Sequence, residues 1–68
     1  MPYEIRWRAP DGVIHRGETQ TARAAIAEVT QLRHDGYQDI EVEDADTHVV
    51  FNRQSMPDLL RQVEREPE

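Results

Sequence analysis

Asp39-Ile40-Glu41-Val42-Glu43-Asp44-Ala45-Asp46 carries five acidic residues in eight positions, yet Ile40 and Val42 alternate with them as a half-buried strand requires. The stretch is a strand and the densest charge of the chain at once. Reading it as a strand fixes what lies on either side. Upstream, Ala22, Ala25, Ile26, Val29 and Leu32 recur at helical spacing and form one apolar stripe. That helix begins near Thr19 or Thr21, either of which suits an N-cap, and ends with Arg33 and His34 where positive charge complements the helix dipole. Gly36 then takes the left-handed position beyond the helix end, which brings Tyr37 back towards Leu32 in a Schellman motif.

Before the helix lies a hairpin. Tyr3, Ile5, Trp7 and Ala9 share one face, with Glu4, Arg6 and Arg8 on the other. Pro10, Asp11 and Gly12 supply the turn. A loop of two or four residues places Ile14 on the face of Trp7, and Gly17 is expected to end the second strand. Downstream of the acidic strand, Asp44, Ala45, Asp46 and Thr47 read as a turn. A fourth strand then covers His48, Val49, Val50 and Phe51, with Val49 and Phe51 inward. Ser55-Met56-Pro57-Asp58 reads as a helix start with serine as N-cap and a capping-box-like spacing to Asp58. Met56, Leu59, Leu60 and Val63 mark the apolar side of that helix, and residues 64–68 are expected to fray.

The order is β-β-α-β-β-α, an α+β domain spanning residues 1–66, with residues 67–68 as a frayed C-terminus. A right-handed crossover from the second strand over the first gives a four-stranded, mainly antiparallel sheet in the order 2-1-3-4. One helix packs on one face, and a short C-terminal helix follows. In that order Arg6 and Arg8 stand beside Asp39, Glu41 and Glu43, where opposite-charge cross-strand pairs contribute about 0.2–1 kcal/mol each. Asp44 and Asp46 are then the uncompensated charges, at a corner beside His48.

Composition narrows the function classes. A chain of 68 residues buries only about 60% of its unfolded surface, so its stability is marginal. It has no cysteine, which removes disulfides, zinc ribbons and thiol catalysis and suits a cytoplasmic setting. MPYEIRW has neither the basic nor the apolar part of a signal peptide, and no apolar run approaches a membrane span, so a soluble domain is expected. The net charge of −6 disfavours nonspecific nucleic-acid binding. All eight basic residues are arginine.

Chemistry has few parts to draw on. Asp44, Asp46 and His48 make a D-x-D-x-H spacing that lacks the glycine and terminal glutamate of an EF-hand, so no metal site is assigned. Ser55 serves better as a cap than as a nucleophile. The three glycines are too scattered for a phosphate loop, and a single-layer sheet offers little concavity to separate carboxylate pKa values. No catalytic residue and no cofactor are expected.

The reading that remains is a non-catalytic accessory or regulatory module working by protein–protein contact, with another protein or with itself as a homodimer. Its candidate partner surface comprises Asp44, Asp46, His48, Met56, Leu59, Leu60 and Val63. The alternative is a sheet-based nucleic-acid binder using Arg6, Arg8, His15 and Arg16. A weaker alternative is a metal- or ligand-responsive regulator built on residues 43–48. The strand and helix pattern recurs in unrelated small bacterial proteins, so fold does not itself name a function.

Overall fold

Strand β1 (Tyr3–Arg8) is one of the two interior strands of the sheet. It pairs antiparallel with β2 (Ile14–Thr19) on one side and with β3 (Gln38–Asp44) on the other. The short β4 (Val50–Phe51) pairs antiparallel with β3, completing the expected order β2-β1-β3-β4 in an open sheet. Two helices, α1 (Ala22–His34) and α2 (Met56–Arg65), make this an α+β fold. It is known from a computed structural model that describes residues 2–66, so the expectation for residues 67–68 lies outside the described residues.

The inner face of the sheet contributes Tyr3, Ile5, Ile40, Val42 and Phe51 to one core. Helix α1 adds Ala22, Ala25, Val29 and Leu32, and α2 adds Met56 and Leu59. The alanines keep α1 close to the sheet, and α2 packs against α1 and β4. No described helix is long and apolar enough to cross a membrane.

Both ends of α1 are closed by hydrogen bonds. Thr21 is the N-cap, and its hydroxyl accepts the Ala24 amide at 3.0 Å. At the other end the Gly36 amide donates to the Arg33 carbonyl and the Tyr37 amide to the Leu32 carbonyl, both at 3.1 Å, with Gly36 at φ +89°. This is the Schellman pairing expected from the sequence. A second closure comes from far along the chain. The Glu66 carboxylate accepts the Ala22 amide at 2.7 Å and the Arg23 amide at 3.0 Å, so it satisfies first-turn donors and sits at the positive end of the dipole. Glu66 is thus an anchoring residue rather than part of a frayed tail.

The hairpin departs from expectation in its parity. The Gly12 amide donates to the Ala9 carbonyl and the Ala9 amide to the Val13 carbonyl, both at 2.9 Å, with Gly12 at φ +88°. A type I turn followed by a left-handed glycine makes a three-residue loop, and an odd loop inverts the facing that an even one preserves. Ile14 therefore pairs with Arg8 on the outer face and is exposed, while His15 pairs with Trp7. Gly17 also does not end β2. It lies inside the strand opposite Ile5, and the Trp7 ring lies across it, 3.5 Å from where a Cβ would stand.

Three further local differences have physical causes. Asp39 has φ +53°, and the register steps from Arg6↔Glu41 to Arg8↔Gln38, so β3 bulges by one residue opposite Trp7. His48 has φ +61°, which delays regular pairing and shortens β4, leaving Val49 half exposed rather than inward. Ser55 is the N-cap of α2 by position, yet its hydroxyl turns back to accept the Asn52 amide at 2.8 Å and makes no cap bond. Asn52 Oδ1 organises that loop instead, accepting the amides of Gln54 at 2.9 Å and Ser55 at 3.1 Å.

Candidate functional site

The hairpin residues of the nucleic-acid reading do not converge. Arg6, Arg8 and Arg16 stand on the outer face, while His15 is on the other, stacked on Trp7 with ring centroids 5.9 Å apart. Tyr37 meets the same indole edge-on at 6.4 Å, so Trp7 and Tyr37 form an aromatic end to the core, with His15 exposed over it. The guanidiniums are engaged by carboxylates. Arg6 lies 3.3 Å from Glu43 and 4.0 Å from Glu4, Arg8 lies 3.8 Å from Asp39, and Arg16 lies 4.0 Å from Glu4. The expected cross-strand pairing of the acidic strand with the arginines is therefore present for Asp39 and Glu43. Exposed pairs of this kind contribute about 0.2–1 kcal/mol, but they cancel the field a phosphate backbone would need.

The acidic corner is not a surface of uncompensated charge. Alternation from Ile40 and Val42 carries on to Asp44, which ends β3 facing inward and is fully buried. Its Oδ1 accepts the Asp46 amide at 2.9 Å and the Thr47 amide at 3.4 Å, so the carboxylate builds the turn it belongs to. Oδ2 has no hydrogen-bond partner among the described residues. His48 approaches Glu43 at 3.5 Å. Among the described residues no group of three or more histidine, aspartate or glutamate side chains is arranged to hold a metal ion.

Asp44 shares its burial with Tyr3, whose ring is 2% exposed and whose hydroxyl donates to Gln62 Oε1 at 2.7 Å. Burial first, then the charges of Asp44, Glu66 and Asp46, push the Tyr3 phenol above its ordinary 10.0. The folded state thus holds the proton more tightly than the unfolded one, so this contribution to stability is complete below about pH 10 and is lost as pH rises through the folded value. Urea midpoints measured from pH 8 to 11 are expected to fall more steeply for the native chain than for Tyr3→Phe. At neutral pH the variant should cost about 1 kcal/mol from the lost Gln62 bond.

The candidate residues of α2 divide in the same way. Met56 and Leu59 are buried in the core and Val63 is half-buried against it, leaving Leu60 exposed. Met56, Leu59 and Asp44 therefore offer no surface to a partner, and the exposed members of the set are Asp46, His48 and Leu60.

A recess of about 1130 Å³ opens between the end of α1, β3 and the loop after β4. Arg8, Arg33 and Arg53 line it with Asp39 and Glu41, and Arg8 lies 3.8 Å from Asp39. The sequence reading missed this grouping because its members come from four separate segments with no shared spacing.

The sheet has two unequal edges. At one side β4 is two residues long, which leaves little ladder to extend. At the other, β2 runs six residues, Ile14-His15-Arg16-Gly17-Glu18-Thr19, and among the described residues pairs only with β1. The Ala9 amide bonded to the Val13 carbonyl sets the phase of the ladder: His15, Gly17 and Thr19 direct their backbone groups at β1. Ile14, Arg16 and Glu18 direct theirs outward. This edge contains no proline or lysine, and Val13 and Ile14 are exposed beside it. The sequence signal for it was present in the topology, since order 2-1-3-4 leaves the second strand outermost. Comparison with protein-family models, with curated proteins and with solved structures finds no match to this chain.

Proposed function

We propose that the chain is a non-catalytic protein-interaction module that binds an extended partner strand along β2. The observation that carries this reading is the six-residue β2 edge, whose outward backbone groups at Ile14, Arg16 and Glu18 meet no other strand among the described residues. Strand addition draws its affinity from such main-chain groups and its selectivity from the side chains that alternate beside them. The outer face supports the same reading, because Arg6 and Arg8 are paired with Glu43 and Asp39 within the sheet, whereas Arg16, on the edge strand, approaches Glu4 at 4.0 Å with its side chain 71% exposed. An accessory role in the cytoplasm belongs to this proposal. Nucleic-acid and metal-responsive roles are the readings it displaces.

Amide exchange on dilute, labelled protein tests the edge directly. Ile14, Arg16 and Glu18 are expected to exchange rapidly while His15, Gly17 and Thr19 are protected. Titration with a panel of short extended peptides, one of them residues 13–20 of this chain, should slow exchange at 14, 16 and 18 alone. Uniform protection in the dilute protein, or no change with any peptide, would remove the reading.

A further inference from the structure

The geometry points to a second copy of this chain as the strand that β2 accepts, antiparallel about a two-fold axis at Gly17. This inference rests on the open-edge reading above and names its occupant. Within one molecule β2 is paired against its own charge. Arg16 stands directly opposite Arg6, and Glu18 directly opposite Glu4, although like charges facing each other across a ladder are destabilising. The carboxylate nearest Arg16 is Glu4 at 4.0 Å, on the diagonal, and the Arg16 side chain remains 71% exposed.

The order of β2 resolves the conflict on its free side. Arg16 and Glu18 flank Gly17 symmetrically and carry opposite charge, so a second β2 laid antiparallel with glycine facing glycine brings each Arg16 opposite a Glu18. The backbone phase agrees. Arg16 and Glu18 are the residues whose amides and carbonyls point outward, so each Arg16–Glu18 pair exchanges main-chain hydrogen bonds as well as charge. The two glycines then face each other at the non-hydrogen-bonded position, where paired strands lie closest. The same contact is isologous, which closes the pair and prevents further growth along that edge. Its small area makes it a weak, reversible dimer.

Sedimentation from about 10 µM to about 1 mM, a range that reaches millimolar Kd, provides the test. The native chain is expected to associate as a dimer across it. R16E places glutamate opposite Glu18 of the other copy, and E18R places arginine opposite Arg16. Each should weaken self-association about tenfold or more. An equimolar mixture of the two should recover a heterodimer, because every cross-strand pair is then again opposite in charge. The doubly swapped R16E/E18R chain should recover a homodimer. Each single change also relieves a like-charge pair against β1, and recovery on mixing shows that both chains are folded. A native chain monomeric throughout, single variants that still dimerise, or a mixture that stays monomeric overturns self-pairing. If the edge amides respond to a foreign strand peptide while the chain stays monomeric, the self-pairing fails and the open-edge reading stands.

Discussion

Truncating Leu59 to alanine is expected to leave a large fraction of the chain unfolded at 25 °C. Leu59 is fully buried at the centre of the contact that α2 makes with the rest of the core, with Met56 beside it at 7% exposure. Removing a buried leucine side chain costs about 2–5 kcal/mol, as lost transfer energy plus the cavity left behind. A domain of this size without disulfides holds only about 3–5 kcal/mol in reserve. The neighbour supplies the control. Leu60 is one residue further along the same helix and 47% exposed, so Leu60→Ala should stay within about 0.5 kcal/mol of the native chain. Urea titrations of the pair, followed by tryptophan fluorescence of Trp7, would separate them. Equal effects would mean that α2 does not cover the core as described.

The second large effect is expected at Gly36. Its φ of +89° is a conformation that side chains bearing a Cβ resist, and a β-branched residue resists it most. Apart from its two chain neighbours, nothing lies within 4 Å of the position a Cβ would take, so crowding plays no part and the cost is one of backbone conformation. Gly36→Val should therefore destabilise by about 1–2 kcal/mol, with Gly36→Asn milder because asparagine tolerates the left-handed region. The midpoint of thermal unfolding measures both. Gly17 makes the opposite case. There a Cβ would meet the Trp7 ring at 3.5 Å, an ordinary contact, and the backbone is that of a strand.

How far the sequence could be read depended on whether a signal was local and periodic. The Schellman ending at Gly36 and the stripe from Ala22 to Leu32 followed from spacing, the order of the strands followed from the handedness of the crossover, and the structure has all three. Parity was less secure. An Asp11-Gly12 pair is compatible with loops of even or odd length, and the odd loop moved Ile14 to the outer face and brought His15 beneath Trp7. The same alternation, carried one step further, would have shown Asp44 to be internal. Its proximity to Asp46 made a turn the simpler reading. Interactions across the chain left no local trace at all. Nothing near Glu66 in sequence announces that it closes the start of α1, and Arg33 and Arg53 share a recess only because β3 separates the segments that bear them. The candidate partner surface suffered most, since a helical stripe does not reveal which of its members the core takes.

The Glu66 closure has a consequence for how the molecule comes into being. The donors it satisfies belong to a helix whose first residues precede it by 44 positions. Strand β1, likewise, waits for β3 before its second ladder can form. A nascent chain leaving the ribosome would therefore present the first helix long before its seal exists, and would hold β1 with one flank open. Assembly should be concerted and late, dominated by contacts distant in sequence, and slower than that of a helical bundle of equal length.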